Sequence, residues 1–250
     1  MRRKLVVGNW KMHGKRADIA KLLTDLQQLL PNSPRADIAV CPPFIYLPAV
    51  QQQLSGSAVN WGAQNVSTAL QGAFTGEVSA GMLRDFDCTY AIVGHSERRQ
   101  LFGESSVVAA EKTLACLQHG LTPIMCVGES RAEREASATL SIIAAQLDAV
   151  FARLSAAELA QTVIAYEPVW AIGTGLTATP EQAQAVHAFI RQQLAQHGAA
   201  VADKVRILYG GSVKADSAAA LFAQPDIDGG LVGGASLNAE EFAAICKAAE

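Results

Sequence analysis

The chain has 250 residues, of which 50% are hydrophobic and 17% are charged, and its formal net charge is −3. A chain this weakly charged lacks the basic patch that nucleic acid or an acidic membrane surface attracts, so we expect neither partner. No apolar run approaches the roughly 18 residues of a membrane-spanning helix. The short apolar run at residues 5–7 is too brief for a secretory signal peptide.

The cysteine pattern indicates a reducing compartment. The five cysteines are an odd number without a Cys-x-x-Cys pair, and they stand at positions 41, 88, 116, 126 and 246. Secreted disulfide-rich domains carry even numbers of paired cysteines, and structural zinc sites carry closely spaced ones. We therefore expect reduced thiols, a cytoplasmic location and no structural metal.

Short apolar runs recur along the chain, and each ends in small or polar residues. Such near-continuous apolar character is typical of strands that are buried on both faces of a parallel sheet. The pattern predicts eight strands, at residues 4–10, 36–43, 58–65, 88–96, 121–129, 162–170, 204–211 and 226–234.

Helices are predicted between these strands, because apolar residues fall at helical spacing over 131–154 and 181–197. A last helix is predicted over 239–248. Pro180 suits the first position of a helix. Several predicted helix starts have a capping residue followed three positions later by Glu or Gln: Ser130 with Glu133, Ser155 with Glu158, Thr179 with Gln182 and Asn238 with Glu241.

Eight strand–helix units in 250 residues match the size and count of a closed (β/α)₈ barrel, the TIM barrel. The alternative is a doubly wound open sheet, which usually has fewer strands and carries phosphate-binding glycines after its first strand. Here the first strand leads into GNWKMHGK, which has no glycine-rich nucleotide turn. Because no linker or low-complexity segment interrupts the pattern, we predict a single α/β domain over residues 1–250.

In a barrel of this kind, reacting groups collect at the carboxyl ends of the strands. Asn9 and Lys11 follow the first predicted strand, His95 ends the fourth, and Glu167 lies near the end of the sixth. The seventh and eighth strands end in glycine pairs, Gly210-Gly211 and Gly233-Gly234. We therefore expect a site that combines polar side chains with bare backbone.

The two glycine pairs predict a phosphate site. Glycine lets backbone N–H groups approach an anion closely, and a turn into a helix N-terminus favours negative charge. Phosphate sites recur after the last two strands of such barrels. Ser212 adds a hydroxyl donor. The alternative is that these glycines only form tight turns.

Glu167 is a candidate base. Its neighbours Tyr166, Pro168 and Trp170 are bulky, so the sequence predicts a desolvated carboxylate with a raised pKa, which suits a base near neutral pH. The alternative is an ordinary solvated loop acid.

His95 and Lys11 complete a candidate set for proton transfer. A helix predicted directly after His95 disfavours the imidazolium, so we expect a neutral imidazole that donates a hydrogen bond. Lys11 would hold a substrate oxyanion or phosphate by its charge, although each residue could also be structural. With Glu167, the set suits proton abstraction next to a carbonyl in a small phosphorylated substrate. This chemistry, through an enediolate, needs no metal and no cofactor.

The segment after Glu167 contains GTGLTA, residues 173–178, which fits the loose GxGxxG/A dinucleotide pattern. Its first glycine comes six residues after Glu167 rather than in a tight turn from the strand, and no acid follows about twenty residues later. We therefore interpret residues 168–178 as a lid that closes over bound substrate, with stiff residues at its entry and glycines near its tip.

Eight motifs, in order, resemble the triosephosphate isomerase family: GNWKMHG, GAQNV, GAFTGEVSA, VGHSERR, CVGE, AYEPVWAIGTG, YGGSV and LVGGASL. They span residues 8–237. The resemblance implies a glycolytic and gluconeogenic isomerase that interconverts dihydroxyacetone phosphate and glyceraldehyde 3-phosphate.

The resemblance also implies a role for each candidate residue. Glu167 matches the general base, His95 the electrophile that polarises the carbonyl, and Lys11 the electrostatic substrate contact. Glu97 stands where the family keeps an acid near the lysine. The remaining substrate-binding positions are Asn9 for a polar contact, and Gly173, Ser212, Gly233 and Gly234 for the phosphate.

The segment at residues 72–79 resembles the loop through which the family forms homodimers, with Thr75 near its tip reaching into the partner's active site. From the residues alone it would be an ordinary glycine-rich turn. Two positions depart from the family's common pattern, because Leu176 replaces a lysine of the lid and Gly230 replaces an alanine. Neither removes a group with a named catalytic role.

Two other functions stay open at the level of sequence. One is a different phosphate-binding barrel enzyme, an aldolase or another isomerase. A Schiff-base aldolase needs a lysine inside a barrel strand, whereas Lys11 lies at a strand end and Lys204 at a predicted strand start. The other is a homologue that binds without catalysing.

Overall fold

The computed structural model describes residues 2–173 and 177–250. Within them, eight parallel strands close into a barrel in chain order, and the last strand pairs with the first. The predicted (β/α)₈ barrel is therefore confirmed. The strands are β1 (Leu5–Asn9), β2 (Asp37–Cys41), β3 (Val59–Ala63), β4 (Tyr90–Val93), β5 (Thr122–Val127), β6 (Val163–Tyr166), β7 (Arg206–Tyr209) and β8 (Gly229–Val232).

Helices connect successive strands around the barrel. In the described ranges they are α1 (Arg16–Leu29), α2 (Leu47–Leu54), α3 (Ala80–Asp85), α4 (Ser96–Phe102), α5 (Ser106–Gln118), α6 (Arg131–Glu135), α7 (Thr139–Phe151), α8 (Ala156–Leu159), α9 (Pro180–Ala195), α10 (Ala199–Lys204), α11 (Ala215–Phe222) and α12 (Ala239–Lys247). The four predicted capping residues accept the expected backbone N–H, at Ser130, Ser155, Thr179 and Asn238. None of the described helices is long and apolar enough to cross a membrane.

Two predicted boundaries are wrong. Residues 131–154 do not form one helix, because the chain turns between α6 and α7, where Ser137 adopts a left-handed φ of 57°. Lys204 does not begin a strand. It is the last residue of α10, and β7 begins at Arg206.

The core has two layers, which follow from the alternation of side chains along each strand. One set of buried residues fills the barrel, and it includes Leu5 and Val7 of β1 and Val163 and Ala165 of β6. The intervening strand residues join the layer between strands and helices. Asn9 and Glu167 continue the inward alternation of β1 and β6, so the barrel itself directs them toward its open end.

Gly229 is required where β8 closes against β1. Its φ is 130°, and a Cβ atom there would overlap the carbonyl of Leu5. Gly230, which departs from the family's alanine, is less constrained, because a Cβ atom would lie 3.3 Å from Cζ of Phe222. The Phe222 ring therefore occupies the space beside this position.

Candidate active site

One cavity of about 380 Å³ at the carboxyl ends of the strands brings all the predicted site residues together. Its lining includes Asn9, Lys11, His95, Glu167, Gly173, Ser212, Gly233 and Gly234. These residues come from β1, β4, β6, β7, β8 and the segments that follow them. The barrel therefore assembles, in one place, groups that are as far apart in sequence as residues 9 and 234.

Glu167 is buried, with 2% of its surface exposed, and three contacts hold its carboxylate at the start of α4. The Ser96 backbone N–H donates to Oε2 at 2.9 Å, and the Ser96 hydroxyl donates to Oε1 at 3.0 Å. Nε2 of His95 lies 2.9 Å from Oε1. The carboxylate is thus turned toward α4 in this resting position.

The predicted rise in the pKa of Glu167 is wrong for this resting position. Burial does oppose the charged form, but the adjacent His95 and the hydrogen bonds from His95 and Ser96 outweigh it. The pKa of Glu167 therefore lies below its ordinary value, and the carboxylate is ionised at neutral pH.

His95 is the N-capping residue of α4, and its two ring nitrogens have different partners. Nδ1 accepts the backbone N–H of Glu97 at 3.2 Å, which leaves Nε2 to donate toward Glu167. Burial lowers the pKa of His95, but the Glu167 carboxylate raises it above its ordinary value while the two groups touch. The direction of this pKa shift is therefore opposite to the one predicted from the helix. The bond to Nδ1, which only the neutral ring can make, agrees with the predicted neutral donor.

Lys11 has an unusual backbone conformation, with φ at 50°. The Asn9 side chain accepts its backbone N–H at 3.1 Å, and the amide of Gln64 donates to its carbonyl at 2.9 Å. Its Nζ lies 2.5 Å from Oε1 of Glu97, as the resemblance implied. These contacts aim a fixed cation along the cavity wall.

Another part of the cavity wall is formed by backbone after β7 and β8. Close packing requires glycine at Gly211, because a Cβ atom there would overlap the hydroxyl of Tyr209. A Cβ atom on Gly233 would lie 3.5 Å from Cε of Lys11, which is an ordinary contact. The Ser212 hydroxyl belongs to the same wall. Backbone N–H groups at this wall suit an anion such as phosphate.

Glu129 organises the entry of the predicted lid, a role that sequence reasoning missed. It is fully buried, and its Oε1 accepts the Tyr166 hydroxyl at 3.1 Å and the Trp170 indole N–H at 3.0 Å. The Arg134 guanidinium donates to the same oxygen at 3.2 Å and lies 4.3 Å from the Trp170 ring centroid. The lid tip, residues 174–176 with Leu176, lies outside the described residues.

Within residues 2–173 and 177–250, no group of three or more His, Cys, Asp or Glu side chains is placed to bind a metal ion. The acid–imidazole pair, the fixed lysine and the glycine-lined wall define a class, that of barrel enzymes which transfer protons within small anionic substrates.

Comparison with known proteins narrows this class. The model of the triosephosphate isomerase family matches residues 4–249. A triosephosphate isomerase of Thiobacillus denitrificans is 63% identical over 249 residues, which cover 100% of this chain and 99% of the relative. Those of Ralstonia nicotianae and Pseudomonas aeruginosa are 58% and 57% identical, each covering at least 99% of both chains. The chain belongs to the triosephosphate isomerase family.

Proposed function

We propose that Glu167, His95 and Lys11 interconvert dihydroxyacetone phosphate and D-glyceraldehyde 3-phosphate through an enediolate. The activity is that of the family, an aldose–ketose isomerisation by an intramolecular oxidoreductase of glycolysis and gluconeogenesis. The observation that carries the residue assignment is the convergence of the three side chains on one cavity with a glycine-lined wall.

Glu167 acts as the base, removing a proton from the carbon beside the carbonyl and returning it to the neighbouring carbon. To do so it turns from Ser96 into the cavity and gives up its three resting contacts. Those contacts lower its pKa, whereas burial raises it. The turn therefore raises the pKa of Glu167 as the base meets its substrate, which strengthens it at that point.

His95 polarises the substrate carbonyl. Once Glu167 has turned away, the Nε2–H of the neutral ring is free to donate to the carbonyl oxygen, which is the arrangement known for this family. Lys11 adds a fixed positive charge beside the developing enediolate, and Asn9 supports Lys11 by accepting its backbone N–H.

The phosphate binds the wall formed by Ser212, Gly233 and Gly234, with the Gly173 N–H as a further donor from the lid. The support is that all four residues line the same cavity as the acid–base pair. A phosphate anchored at this wall would orient the reacting carbons toward Glu167.

The assignment of the base is tested by Glu167→Asp in a coupled assay with glyceraldehyde 3-phosphate. Shortening the side chain by one methylene keeps the charge but retracts the carboxylate, so we expect kcat to fall about 100-fold or more, with KM changed only a few-fold. Glu135→Asp, on the exposed end of α6, is the matched control and should behave as the wild type. Near-normal turnover of Glu167→Asp would rule out Glu167 as the base.

The alternative functions gain no support from the site. A Schiff-base aldolase needs a lysine on a barrel strand, and none of the strands in the described ranges contains one. A catalytically silent homologue would leave roles unfilled, whereas the acid, imidazole, cation and anion-binding wall are all present. A pure protein without activity in the coupled assay would favour the silent homologue.

The chain acts as a homodimer through residues 72–79, with Thr75 reaching toward the partner's active site. The support is a set of large apolar side chains left exposed, among them Met12 at 94%, Ile45 at 80% and Phe74 at 53%. Light scattering on a size-exclusion column should give twice the chain mass of 26.3 kDa. Phe74→Asp should shift the mass toward one chain, and a wild-type monomer would contradict the proposal.

The protein works in the cytoplasm as a single domain over residues 1–250. The support for the location is that all five cysteines are buried and free, as a reducing compartment allows. Cell fractionation tests the location. One cooperative unfolding transition at fixed protein concentration tests the single domain, and two separate transitions would contradict it.

A further inference from the structure

Gln146 on α7 pairs both backbone polar groups of Gly128, the residue that follows β5. The Gly128 N–H donates to Oε1 of Gln146 at 2.8 Å, and Nε2 of Gln146 donates to the Gly128 carbonyl at 3.0 Å. The last residue pair between β4 and β5 joins Val93 to Met125, so Gly128 lies beyond the reach of β4. The side-chain amide of Gln146 supplies the two hydrogen bonds that a neighbouring strand would otherwise make to Gly128.

Gly128 also touches the backbone of Glu167. A Cβ atom on Gly128 would overlap the Glu167 carbonyl and would lie 3.2 Å from the Glu167 Cβ. The neighbours of Gly128 bind the same segment, because the Glu167 N–H donates to the Val127 carbonyl at 2.7 Å. On the other side, the Val169 N–H donates to the Glu129 carbonyl at 3.1 Å. Residues 127–129 thus set the position of both Glu167 and the lid entry.

Side-chain packing alone does not fix this segment. A cavity of about 220 Å³ adjoins Glu167, and its lining includes Ser96, Arg99, Gly128, Glu133, Gln146 and Glu167. Because this space is open rather than filled, Gly128 has room to move if its hydrogen bonds are lost. The two bonds from Gln146 are therefore a side-chain restraint on Gly128, added to the backbone bonds of its two neighbours.

We propose that Gln146 is a positioning residue for proton transfer, which fixes Gly128 and thereby the place of Glu167 and the lid entry. The inference rests on the proposed role of Glu167 as the base. Gln146 acts only through this backbone segment. Loss of its amide should shift the base by a fraction of an ångström to an ångström, an error that costs turnover more than binding.

The first test compares Gln146→Leu with Gln146→Glu. Leucine removes both hydrogen bonds at similar size, so kcat should fall about 10- to 100-fold. Glutamate keeps the acceptor for the Gly128 N–H but loses the donor, so its kcat should lie between leucine and wild type. Gln161→Leu, which removes a surface bond to the Ala157 carbonyl, is the matched control and should leave kcat unchanged.

Inhibition by inorganic phosphate distinguishes a specific effect on the position of Glu167 from a general loss of order in the site. The glycine wall after β7 and β8 makes no hydrogen bond to Gln146 in the described residues, so the inhibition constant should stay within about twofold of wild type. A loss of phosphate affinity in step with kcat would overturn the inference. Circular dichroism confirms that each variant is folded. If Gln146→Leu does not fold, Gln146→Glu alone decides, and a normal kcat for it overturns the inference.

A double-mutant cycle with Glu167→Asp gives the decisive readout. If Gln146 acts through the base, Gln146→Leu should reduce kcat much less in the Glu167→Asp background than in the wild type. Fully additive losses, or a kcat/KM of Gln146→Leu within twofold of wild type, would overturn the inference. Near-normal turnover of Glu167→Asp alone would instead remove the proposed base, so the two failures are distinguishable.

Discussion

In the proposed mechanism, Glu167 turns to the substrate by giving up its contacts with Ser96 and His95 at the start of α4. Hydrogen bonds to a charged group contribute about 1.5–3 kcal/mol each, so the resting position is a stable one. Interactions with the bound substrate have to offset that loss, and an anchored phosphate is the group best placed to do so. The resting contacts therefore keep the base ionised without leaving it exposed to solvent.

His95→Gln tests the imidazole as the carbonyl donor. Removing one preorganised donor to a developing oxyanion costs about 10²–10³ in rate, so we expect kcat/KM to fall by that factor in the coupled assay. The free energy of unfolding should change by about 1 kcal/mol, the usual cost of losing one helix cap. His197→Gln on the surface is the control. An unchanged kcat/KM for His95→Gln would remove His95 from the mechanism.

That the candidate site residues line one cavity could be predicted because their signals are local. An acid at a strand end, a histidine before a helix and a glycine pair can each be recognised within a few residues. The partners of these residues were not predictable, because Ser96 and Glu167 are 71 positions apart and Gln64 and Lys11 are 53 apart. The predicted direction of the Glu167 pKa shift was wrong for the same reason, because the distant residues Ser96 and His95 decide that direction.

At the scale of elements, the entry to the lid is built around Glu129. One oxygen of this buried carboxylate accepts hydrogen bonds from the Tyr166 hydroxyl, the Trp170 indole and the Arg134 guanidinium. A charge without such partners would be costly to bury. The entry is thus fixed by directed hydrogen bonds, which can be exchanged for others when the segment moves.

We predict that residues 168–178 close over bound phosphate. Hydrogen exchange should slow in the flanks 169–173 and 177–178 when inorganic phosphate or a phosphate-bearing inhibitor is added, because closure excludes water from the backbone. The helix α1, remote from the cavity, should exchange at the same rate in both samples. Equal exchange of the flanks with and without ligand would contradict closure.

Element existence was easier to predict than element boundaries. All eight strands were found, yet β6 covers 163–166 rather than 162–170, because the apolar residues after Tyr166 belong to the lid. The break between α6 and α7 was not predicted, because the apolar spacing continues across it. The helical backbone is interrupted there, since Ser137 adopts a left-handed conformation. An apolar sequence pattern indicates burial rather than strand structure, and buried residues continue into the loops that line the cavity.

At the scale of the whole molecule, one buried carboxylate, Asp228, lies where the barrel closes at its amino-terminal end. Asp228, just before β8, contacts Arg2 at 2.7 Å, Arg191 at 2.5 Å and the backbone N–H of Ile207 at 2.9 Å. One carboxylate therefore joins the start of the chain to α9 and β7. The carboxyl end of the barrel, by contrast, holds the candidate cavity with its glycine-lined wall.

A buried histidine beside this network makes stability depend on pH. His187 on α9 is fully buried, with Nδ1 3.2 Å from the Asp226 carbonyl. Its Nε2 has no hydrogen-bond partner among the described residues, and the rings of Tyr166 and Tyr209 lie beside it. Burial lowers the pKa of His187 to about 4, despite the nearby Asp226 and Asp228. The folded protein therefore keeps this ring neutral.

The sign of the pH effect follows from which state binds the proton. Between pH 4 and the ordinary histidine pKa of about 6.5, the unfolded chain protonates this residue and the folded chain does not. The contribution of His187 to stability is thus complete above about pH 6.5 and is lost as the pH falls toward 4. At pH 5 the loss should be about 2 kcal/mol relative to pH 7.5, measured by urea unfolding at fixed protein concentration.

His187→Phe keeps a ring of similar shape but cannot titrate, so its stability should fall by about 2 kcal/mol less over the same range. Equal slopes for the two proteins would show that His187 does not control this part of the profile.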